Sequence, residues 1–407
     1  MQGYIRKIDW IDAVLLILFA SLTFLVIPSW LPFLRKGWRL LIIATLLIVL
    51  GRREYICRQA FIAFIPYAIL LFINAMSGDV YIGSTTNAIN ELMMVFVPSS
   101  LALFCIRGES RQFVSALVFI TFGALLFEMV ASFVVLERYP GIIRGLYSMA
   151  KEEDMSLMYE YYKLGIMDYH MAHALPLLIP PLICRLKESN IKGKIVFSTL
   201  VVACIVLTWL SESSTALLLI LLMVFLGLLV SVNDSLLKQV TIISFMALFT
   251  IVLLSSEKVL TGVFDVAETF VDEESIYSDK IEELRLSLLE NQTTGDLDSR
   301  FDRYRISLDL FSQNMLFGSN QMPGRHSALL DKLSSLGLVG FIPLILFFFF
   351  QIKAVFRGIT AKRRIYYLES VVAAFLMLLF KAMWVWPIFM FLFLIAPSLL
   401  IMGKNQE

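Results

Sequence analysis

The sequence predicts an all-α protein that crosses a membrane many times, and its composition and hydropathy pattern support this fold class. Hydrophobic residues make up 59% of the 407 residues, whereas soluble domains contain about 45–50% apolar residues. Charged residues make up 16%, below the roughly 25% of soluble domains. The apolar residues form runs close to the about 20 residues that an α-helix needs to cross a bilayer.

These runs predict about twelve transmembrane helices. They lie near residues 10–30, 31–50, 59–76, 89–106, 112–136, 166–185, 194–210, 214–232, 238–256, 336–356, 366–384 and 385–403. The first run is too long for a signal-peptide core and lacks a small-x-small cleavage site, which indicates a retained first helix. The chain then divides into residues 1–256, with a polar segment at about 137–164, a large polar loop at 257–335, and a final helical part at 336–407.

Basic residues in the short loops orient the helices, because cytoplasmic loops carry an excess of Lys and Arg. The clusters that share one side are Arg52, Arg53 and Arg58; Arg107 and Arg111; Arg185, Lys187, Lys192 and Lys194; and Lys353, Arg357, Lys362, Arg363 and Arg364. This side is predicted to be the cytoplasm, with both termini on it and both polar segments outside. The loop that contains Arg35, Lys36 and Arg39 disagrees, since it would lie outside.

His326 is the main candidate for chemistry in the large loop. It follows Pro323 and Gly324, where a chain can turn sharply. Leucines at helical spacing come next: Leu329, Leu330, Leu333 and Leu336. We therefore expect His326 and Ser327 to begin a helix that dips toward the membrane. A neutral imidazole there could take a proton from a sugar hydroxyl; the alternative is a surface histidine on a turn.

Arginines accompany this histidine in the loop. They are Arg300, Arg303, Arg305 and Arg325. A guanidinium group binds phosphate through two parallel hydrogen bonds and keeps its charge. On a helix, Arg300 and Arg303 share a face and Arg305 points elsewhere. The alternative is salt bridging to the aspartates at 298, 302 and 309. Arg144, in the other outer segment, either helps to hold a lipid diphosphate or anchors the chain at the interface.

Other polar residues carry weaker indications. His170 and His173 form an i, i+3 pair beside Asp168, but no further ligand is evident, so they predict a polar cap or a cavity lining and no metal site. The net charge of +1 gives no indication of nucleic-acid binding. Nucleotide-binding motifs are missing, so no cofactor is predicted, and an outward-facing enzyme would need a preactivated, lipid-linked substrate. Glu212 either accepts a hydrogen bond from a substrate or caps the eighth predicted helix.

The loop resembles that of the bacterial O-antigen ligase and O-antigen polymerase family, whose signature is H-[NSQ]-x9-G-x-x-[GTY]. The residues that satisfy it are His326, Ser327, Gly337 and Gly340. Upstream, R-F-D-R-Y-R-I-S-L-D-L-F…L-F-G is similar to the family's R-x3-Y/W segment, with Arg300 on its arginine and Phe317-Gly318 at its end. The H-S-x-x-x-D form, which ends at Asp331, is similar to capsule and O-antigen polymerases in particular.

The chain departs from this family at one place. Many relatives carry S-R-T/G-A at the outer end of a middle helix, with that arginine on the lipid diphosphate. Here the corresponding sequence is S-S-T-A, so Ser214 stands in place of the arginine. Either Arg144, Arg303 or Arg325 substitutes for it, or the grip on the phosphate is weaker, and no role is carried over to Ser214.

The resemblance implies a glycosyltransferase C-type membrane fold in a bacterial inner membrane, with the active site in the periplasm. It implies transfer of a growing glycan from undecaprenyl diphosphate to a new lipid-linked repeat unit, without a metal. Arg300, with Arg303 or Arg325, would hold the leaving diphosphate, His326 would deprotonate the acceptor, and Ser327 would contact substrate. The implied partners are the undecaprenyl-diphosphate-linked oligosaccharide, membrane lipids and a chain-length-determining co-polymerase.

Two alternatives remain at this level. The first is the sister enzyme, a ligase that moves the finished glycan to lipid A core. The basic residues of loop 257–335 are outnumbered by its acidic residues, which favours the less charged acceptor of a polymerase. The second is a transporter or flippase of lipid-linked sugars. Transporters favour charged or broken helices at the middle of the bilayer, whereas charge here concentrates in an outer loop.

Overall fold

The computed structural model describes residues 57–76, 85–107, 111–139, 142–143, 164–232, 234–235, 237–242, 244, 257–269, 271, 276–289, 295–321 and 326–401. These residues are helical or lie in short connections, and no β-strand occurs among them. The all-α fold class is therefore confirmed for the described part of the chain.

The helices of the first part are α1 (Arg58–Met76), α2 (Thr85–Arg107), α3 (Arg111–Arg138), α4 (Tyr169–Ala174), α5 (Ile179–Glu188), α6 (Ile191–Leu210) and α7 (Ser214–Leu229). Those that follow are α8 (Glu257–Glu268), α9 (Ile276–Leu289), α10 (Gly295–Gln313), α11 (Ala328–Gly358), α12 (Arg364–Phe380), α13 (Trp386–Met390) and α14 (Ala396–Ile401). A 3₁₀ turn, Leu175–Leu178, joins α4 to α5, another, Ala361–Arg363, leads into α12, and the π-helical Phe391–Ile395 joins α13 to α14.

Helices α1, α6 and α11 are long and apolar enough to cross a membrane, and they are the three such helices in the described residues. Each corresponds to a predicted span. Helices α2, α3, α7 and α12 also cover predicted spans. The predicted spans at 10–30 and 31–50, and most of 238–256, lie outside the described residues.

The predicted span at 166–185 is an interrupted helix. Helix α4 ends after six residues, and a 3₁₀ turn containing Pro176 precedes α5. Pro180 and Pro181 then occupy the first turn of α5, where their missing N–H groups cost no helical hydrogen bond. The prolines therefore explain why a continuous apolar run folds as two short helices, the first of which carries His173.

Helices α1 and α11 run in opposite directions. At one end of the α1–α11 pair, the Cys57 thiol lies 4.0 Å from the Phe350 carbonyl oxygen. At the other end, the Asn320 amide donates to the Asn74 carbonyl at 3.4 Å. The predicted order of spans, in which these helices are the third and the tenth, likewise has them running in opposite directions.

One end of the bundle gathers several basic side chains, and we call it the basic end. Lys187 donates to the last carbonyls of α7, at 2.8 Å from Gly227 and 3.0 Å from Leu228. Arg363 donates to Glu188 at 2.8 Å and to the Leu400 carbonyl at 2.7 Å. The ends of α5, α7 and α14 and the start of α12 therefore meet here, as the basic clusters predict for a shared side.

A turn after α10 is inserted into a break in α11. Gly337 has φ 58° and ψ −172°, which interrupts the helix. The carbonyls before the break accept from the turn, at 2.8 Å for Ser319 N to Ser334 O. Past the break, Leu338 N donates to Met315 O at 2.8 Å. The turn thus supplies hydrogen-bond partners to backbone groups that lose their helical partners at the break.

Helix α10 buries a polar residue on the face that packs toward α11. The helical spacing of Tyr304, Leu308 and Phe311 predicts an apolar stripe on this helix, but Leu308 is 47% exposed. Ser307 is buried instead, at 2% exposed. The prediction is wrong at Leu308 because the partner surface, the start of α11, offers the Asp331 carboxylate, and a hydroxyl can bind it where a leucine cannot.

Candidate functional site

His326 lies immediately before the start of α11, as predicted. It is half-buried. Ser327, the next residue, is the N-cap of the helix, and its hydroxyl accepts from Leu330 N at 3.2 Å. Ser327 is only 1% exposed. Its hydroxyl therefore has a local structural role, while its predicted contact with substrate stays a prediction.

The start of α11 is tied to the end of α12. Ala328 N donates to the Lys381 carbonyl oxygen at 3.0 Å. A helix leaves its first N–H groups without partners inside the helix, and this bond satisfies one of them. The bond brings Lys381, the C-cap of α12, into contact with Ala328, which follows His326 by two residues.

Arg300 lies on the face of α10 that packs toward these helix ends. Arg300, Tyr304 and Ser307 follow each other at helical spacing and share that face. The Ser307 hydroxyl donates to Asp331 Oδ1 at 3.0 Å, and the Tyr304 hydroxyl donates to the Phe380 carbonyl at 3.4 Å. Helix α10 is therefore held against both α11 and the end of α12, and Arg300 lies one turn before these contacts.

Tyr304 is a neutral member of this contact. Burial raises the pKa of its hydroxyl above the usual value, the charge of Arg300 lowers it, and the charge of Asp331 raises it. The raised pKa keeps the hydroxyl protonated at physiological pH, so that it remains a donor to Phe380. Arg300 and Asp331 therefore both lie near this tyrosine.

His173 lies at the same end of the bundle and is completely buried. Its Nδ1 lies 2.9 Å from the Tyr169 carbonyl, and its Nε2 lies 3.0 Å from the Ser213 hydroxyl. A carbonyl only accepts, so Nδ1 carries the proton in this arrangement, and Nε2 of a neutral ring accepts from Ser213. His173 is thus fixed in orientation by the residue that precedes α7.

Arg300 and Lys381 both lie close enough to His173 for their charges to act on it. Residues far apart in sequence therefore converge at one end of the bundle, opposite the basic end. They comprise His173 near the end of α4, Ser213 at the start of α7, Arg300 from α10, and Lys381 at the end of α12. We call these four residues the cationic cluster.

Lys381 is the residue that the sequence reasoning missed. It lies inside the predicted span at 366–384, whose apolar composition predicts a helix that continues past this lysine. The sequence does contain a signal for this lysine. Lys381 directly follows the apolar run of α12 and stands one residue before M-W-V-W-P. Aromatic residues and lysine at the end of such a run are typical of the membrane interface.

A second polar group lies deeper, under the start of α11. Lys332 is 2% exposed and forms an ion pair with Glu91 of α2. The Tyr67 hydroxyl of α1 donates to the same carboxylate at 2.5 Å, and Lys332 Nζ lies 5.0 Å from the centre of the Trp384 ring. A buried ion pair in an apolar bundle needs such additional partners, and this one joins α1, α2 and α11.

The other predicted site residues are distributed differently. Arg303 is exposed, whereas Arg300 is half-buried, so the two arginines do not share one environment. Arg305 projects into solvent and lies 3.9 Å from Asp309, in agreement with the expectation that it points elsewhere. Arg144 and Arg325 lie outside the described residues, and their roles stay predictions.

The remaining expectations concern the histidine pair and the turn before α7. Asp168 caps α4 by accepting from Met171 N at 2.7 Å, and it lies 3.3 Å from His170 Nδ1. No group of three potential metal-ligating side chains occurs in the described part of the chain. The N-cap of α7 is Ser213, not Glu212, so the predicted capping role of Glu212 is wrong.

Comparison with known proteins gives no match. No family model, no curated protein and no solved structure matches the chain. The function proposed below is therefore supported by the residues of the cluster, their geometry and the motif resemblance.

Proposed function

We propose that the chain is a membrane glycosyltransferase that polymerises lipid-linked repeat units of a bacterial surface polysaccharide. It transfers the growing glycan from undecaprenyl diphosphate to the non-reducing end of a new lipid-linked repeat. The observation that carries the proposal is the contact between α10, which bears Arg300, and the start of α11, which directly follows His326 and Ser327. A base and a diphosphate-binding cation are the groups that this transfer requires, and the Ser307–Asp331 bond of 3.0 Å holds their helices together.

Arg300 has the chemistry to hold the leaving diphosphate. Negative charge grows on the oxygen that leaves the anomeric carbon, so a positioned guanidinium stabilises the transition state more than the ground state. Its environment is partly desolvated, because Arg300 is half-buried, and this strengthens the interaction. Arg303 and Arg325 remain additional candidates for the same group.

His326 is proposed as the general base. The acceptor hydroxyl oxygen attacks the anomeric carbon, and its proton passes to a ring nitrogen of His326. The carbon–oxygen bond to the diphosphate breaks at the same time, and its electron pair leaves with undecaprenyl diphosphate. The two residues that follow His326 are held in place, because Ser327 caps α11 and Ala328 N donates to the Lys381 carbonyl oxygen.

The orientation in the membrane follows from charge. The basic end of the bundle is proposed to face the cytoplasm, and the cationic cluster would then face the periplasm. We propose that the predicted spans together form a twelve-helix, glycosyltransferase C-type fold in the inner membrane, with both termini in the cytoplasm. A chain-length-determining co-polymerase is the protein partner that this function would need.

The glycan pattern of a deletion strain tests this function. Without the enzyme, we expect lipid A core that carries one repeat unit and no ladder of longer chains on a gel. A plasmid that encodes the protein should restore the ladder. Bare core, with long chains accumulating on undecaprenyl diphosphate, would assign the chain as a ligase instead. Loss of all lipid-linked repeats from the periplasmic face would indicate a flippase.

A further inference from the structure

Lys381 places a second cation beside Arg300 through contacts that fix its position. Its N–H donates to the Met377 carbonyl at 2.9 Å, and its own carbonyl accepts from Ala328 N at 3.0 Å. The preceding residue, Phe380, accepts from the Tyr304 hydroxyl at 3.4 Å. The backbone of Lys381 is therefore held between the start of α11 and the Arg300 face of α10, and its half-buried side chain extends from that point.

The side chain of Lys381 lies near His173. Its charge acts on the His173 ring more strongly than those of His170 and Arg300 do, although all three reach it. The polar atoms of the ring are bound by Ser213 and the Tyr169 carbonyl. Two cations from different helices therefore lie near the same neutral, buried ring.

We infer that Lys381 is a second anion-binding residue of this site and holds the diphosphate headgroup of the lipid-linked substrate together with Arg300. The inference rests on the proposed function for the identity of the lipid. A lipid diphosphate that is esterified at both ends carries two negative charges, and two cations from different helices match it. Arginine can form two parallel hydrogen bonds to a phosphate, whereas the lysine ammonium adds a compact charge on a flexible side chain that can bind either phosphate.

Direct binding tests the inference without any sugar chemistry. The purified full-length chain in detergent is titrated calorimetrically with farnesyl diphosphate, and in separate arms with farnesyl monophosphate and inorganic pyrophosphate. Lys381→Gln should weaken farnesyl diphosphate binding by about tenfold or more, as expected for loss of one charged hydrogen-bond donor. Lys381→Arg should retain most of the affinity, because it keeps the charge. The backbone bond to Ala328 is unchanged in both variants.

Lys353→Gln is the matched control, because Lys353 is exposed and lies in the half of α11 that leads to the basic end. It should bind as the unmodified chain does, and thermal melting should show that all variants are folded. Equal affinity of Lys381→Gln and the unmodified chain would overturn the inference, as would failure of the unmodified chain to bind farnesyl diphosphate. Tighter binding of pyrophosphate than of farnesyl diphosphate would also overturn the assignment to a lipid headgroup.

The same variants separate this inference from the proposed function. If Lys381 supports diphosphate binding but the chain lengthens no glycan, the polymerase assignment fails and the inference stands. If the chain lengthens glycan and Lys381→Gln binds the diphosphate normally, the inference fails and the polymerase assignment stands.

Discussion

Arg300 and Arg305 lie on the same helix but differ in what surrounds them. Arg300 is half-buried beside Tyr304 and the end of α12. The Arg305 side chain is 81% exposed, and its separation of 3.9 Å from Asp309 is that of a weak surface pair. The pair of arginines therefore offers a comparison in which charge, residue type and helix are the same and only the location changes.

Arg300→Ala should reduce glycan lengthening by about 100-fold or more, the range observed when a donor that stabilises transition-state charge is removed. Arg300→Lys should also be impaired, since a point charge does not replace a bidentate fork. Arg305→Ala should behave as the unmodified chain. Activity is measured as ladder formation in the complemented deletion strain, with membrane levels checked by immunoblot. A full ladder from Arg300→Ala would remove this arginine from the mechanism.

At the scale of elements, two glycines allow the turn after α10 to enter the break in α11. Gly318 has φ 75° and Gly337 has φ 58°. Both angles lie in the left-handed backbone region, which residues with a Cβ rarely adopt. A Cβ on Gly337 would also collide with the backbone of Gly318 and Leu316, and one on Gly318 would collide with Ser335. One backbone contact thereby explains the glycine of F-G and the first glycine of G-x-x-G.

Gly337→Ala should destabilise the chain by at least about 1–3 kcal/mol, the cost of holding a non-glycine residue in a disfavoured backbone region. It should also lower activity, because the break positions α10 relative to α11. Gly123→Ala is the control, since nothing lies within 4 Å of the added Cβ on α3; it should be neutral or slightly stabilising. Thermal melting in detergent checks both, and unchanged melting of Gly337→Ala would contradict this interpretation of the break.

The buried pair of Lys332 and Glu91 joins α11 to α2 near the candidate site. Lys332→Met should destabilise the bundle by about 3–5 kcal/mol, because it leaves the Glu91 carboxylate buried without its cation. The double variant Lys332→Met, Glu91→Met should recover most of this loss, since an apolar pair of similar size carries no desolvation cost. Chemical or thermal unfolding of the purified variants measures this. If the double variant were as unstable as the single one, the loss of stability would not come from the unpaired Glu91 carboxylate, and this prediction would be wrong.

At the scale of the whole molecule, the predicted spans and the two unlike ends of the bundle define a topology that can be tested. Reporter fusions after Arg58, Lys192 and Arg363 should give cytoplasmic signals, because these positions lie at the basic end or in basic loops. Fusions near residues 148 and 293 should give periplasmic signals. A cytoplasmic signal at residue 293 would exclude the proposed mechanism, since the lipid-linked substrate would then be on the other side of the membrane.

The sequence predicted the described helices well because apolar runs of membrane length leave few other folds. It placed Ser327 at the start of α11 and located α1 and α6 close to their observed ends. It could not predict the break at Gly337, because this depends on the turn at 315–320 that enters it. Lys381 was missed for a similar reason: its proximity to Arg300 and His173 is created by contacts between helices that are distant in sequence.

The central claim is that His326 and the cationic cluster lengthen a lipid-linked glycan. The most direct measurement uses the purified chain in lipid nanodiscs with lipid-linked repeat units extracted from the deletion strain. The unmodified chain should convert them into products of several repeats, read by gel and mass spectrometry. His326→Ala should slow this by about 100- to 10,000-fold, as expected for loss of a general base, while still binding farnesyl diphosphate. Long products from His326→Ala, or none from the unmodified chain, would contradict the claim.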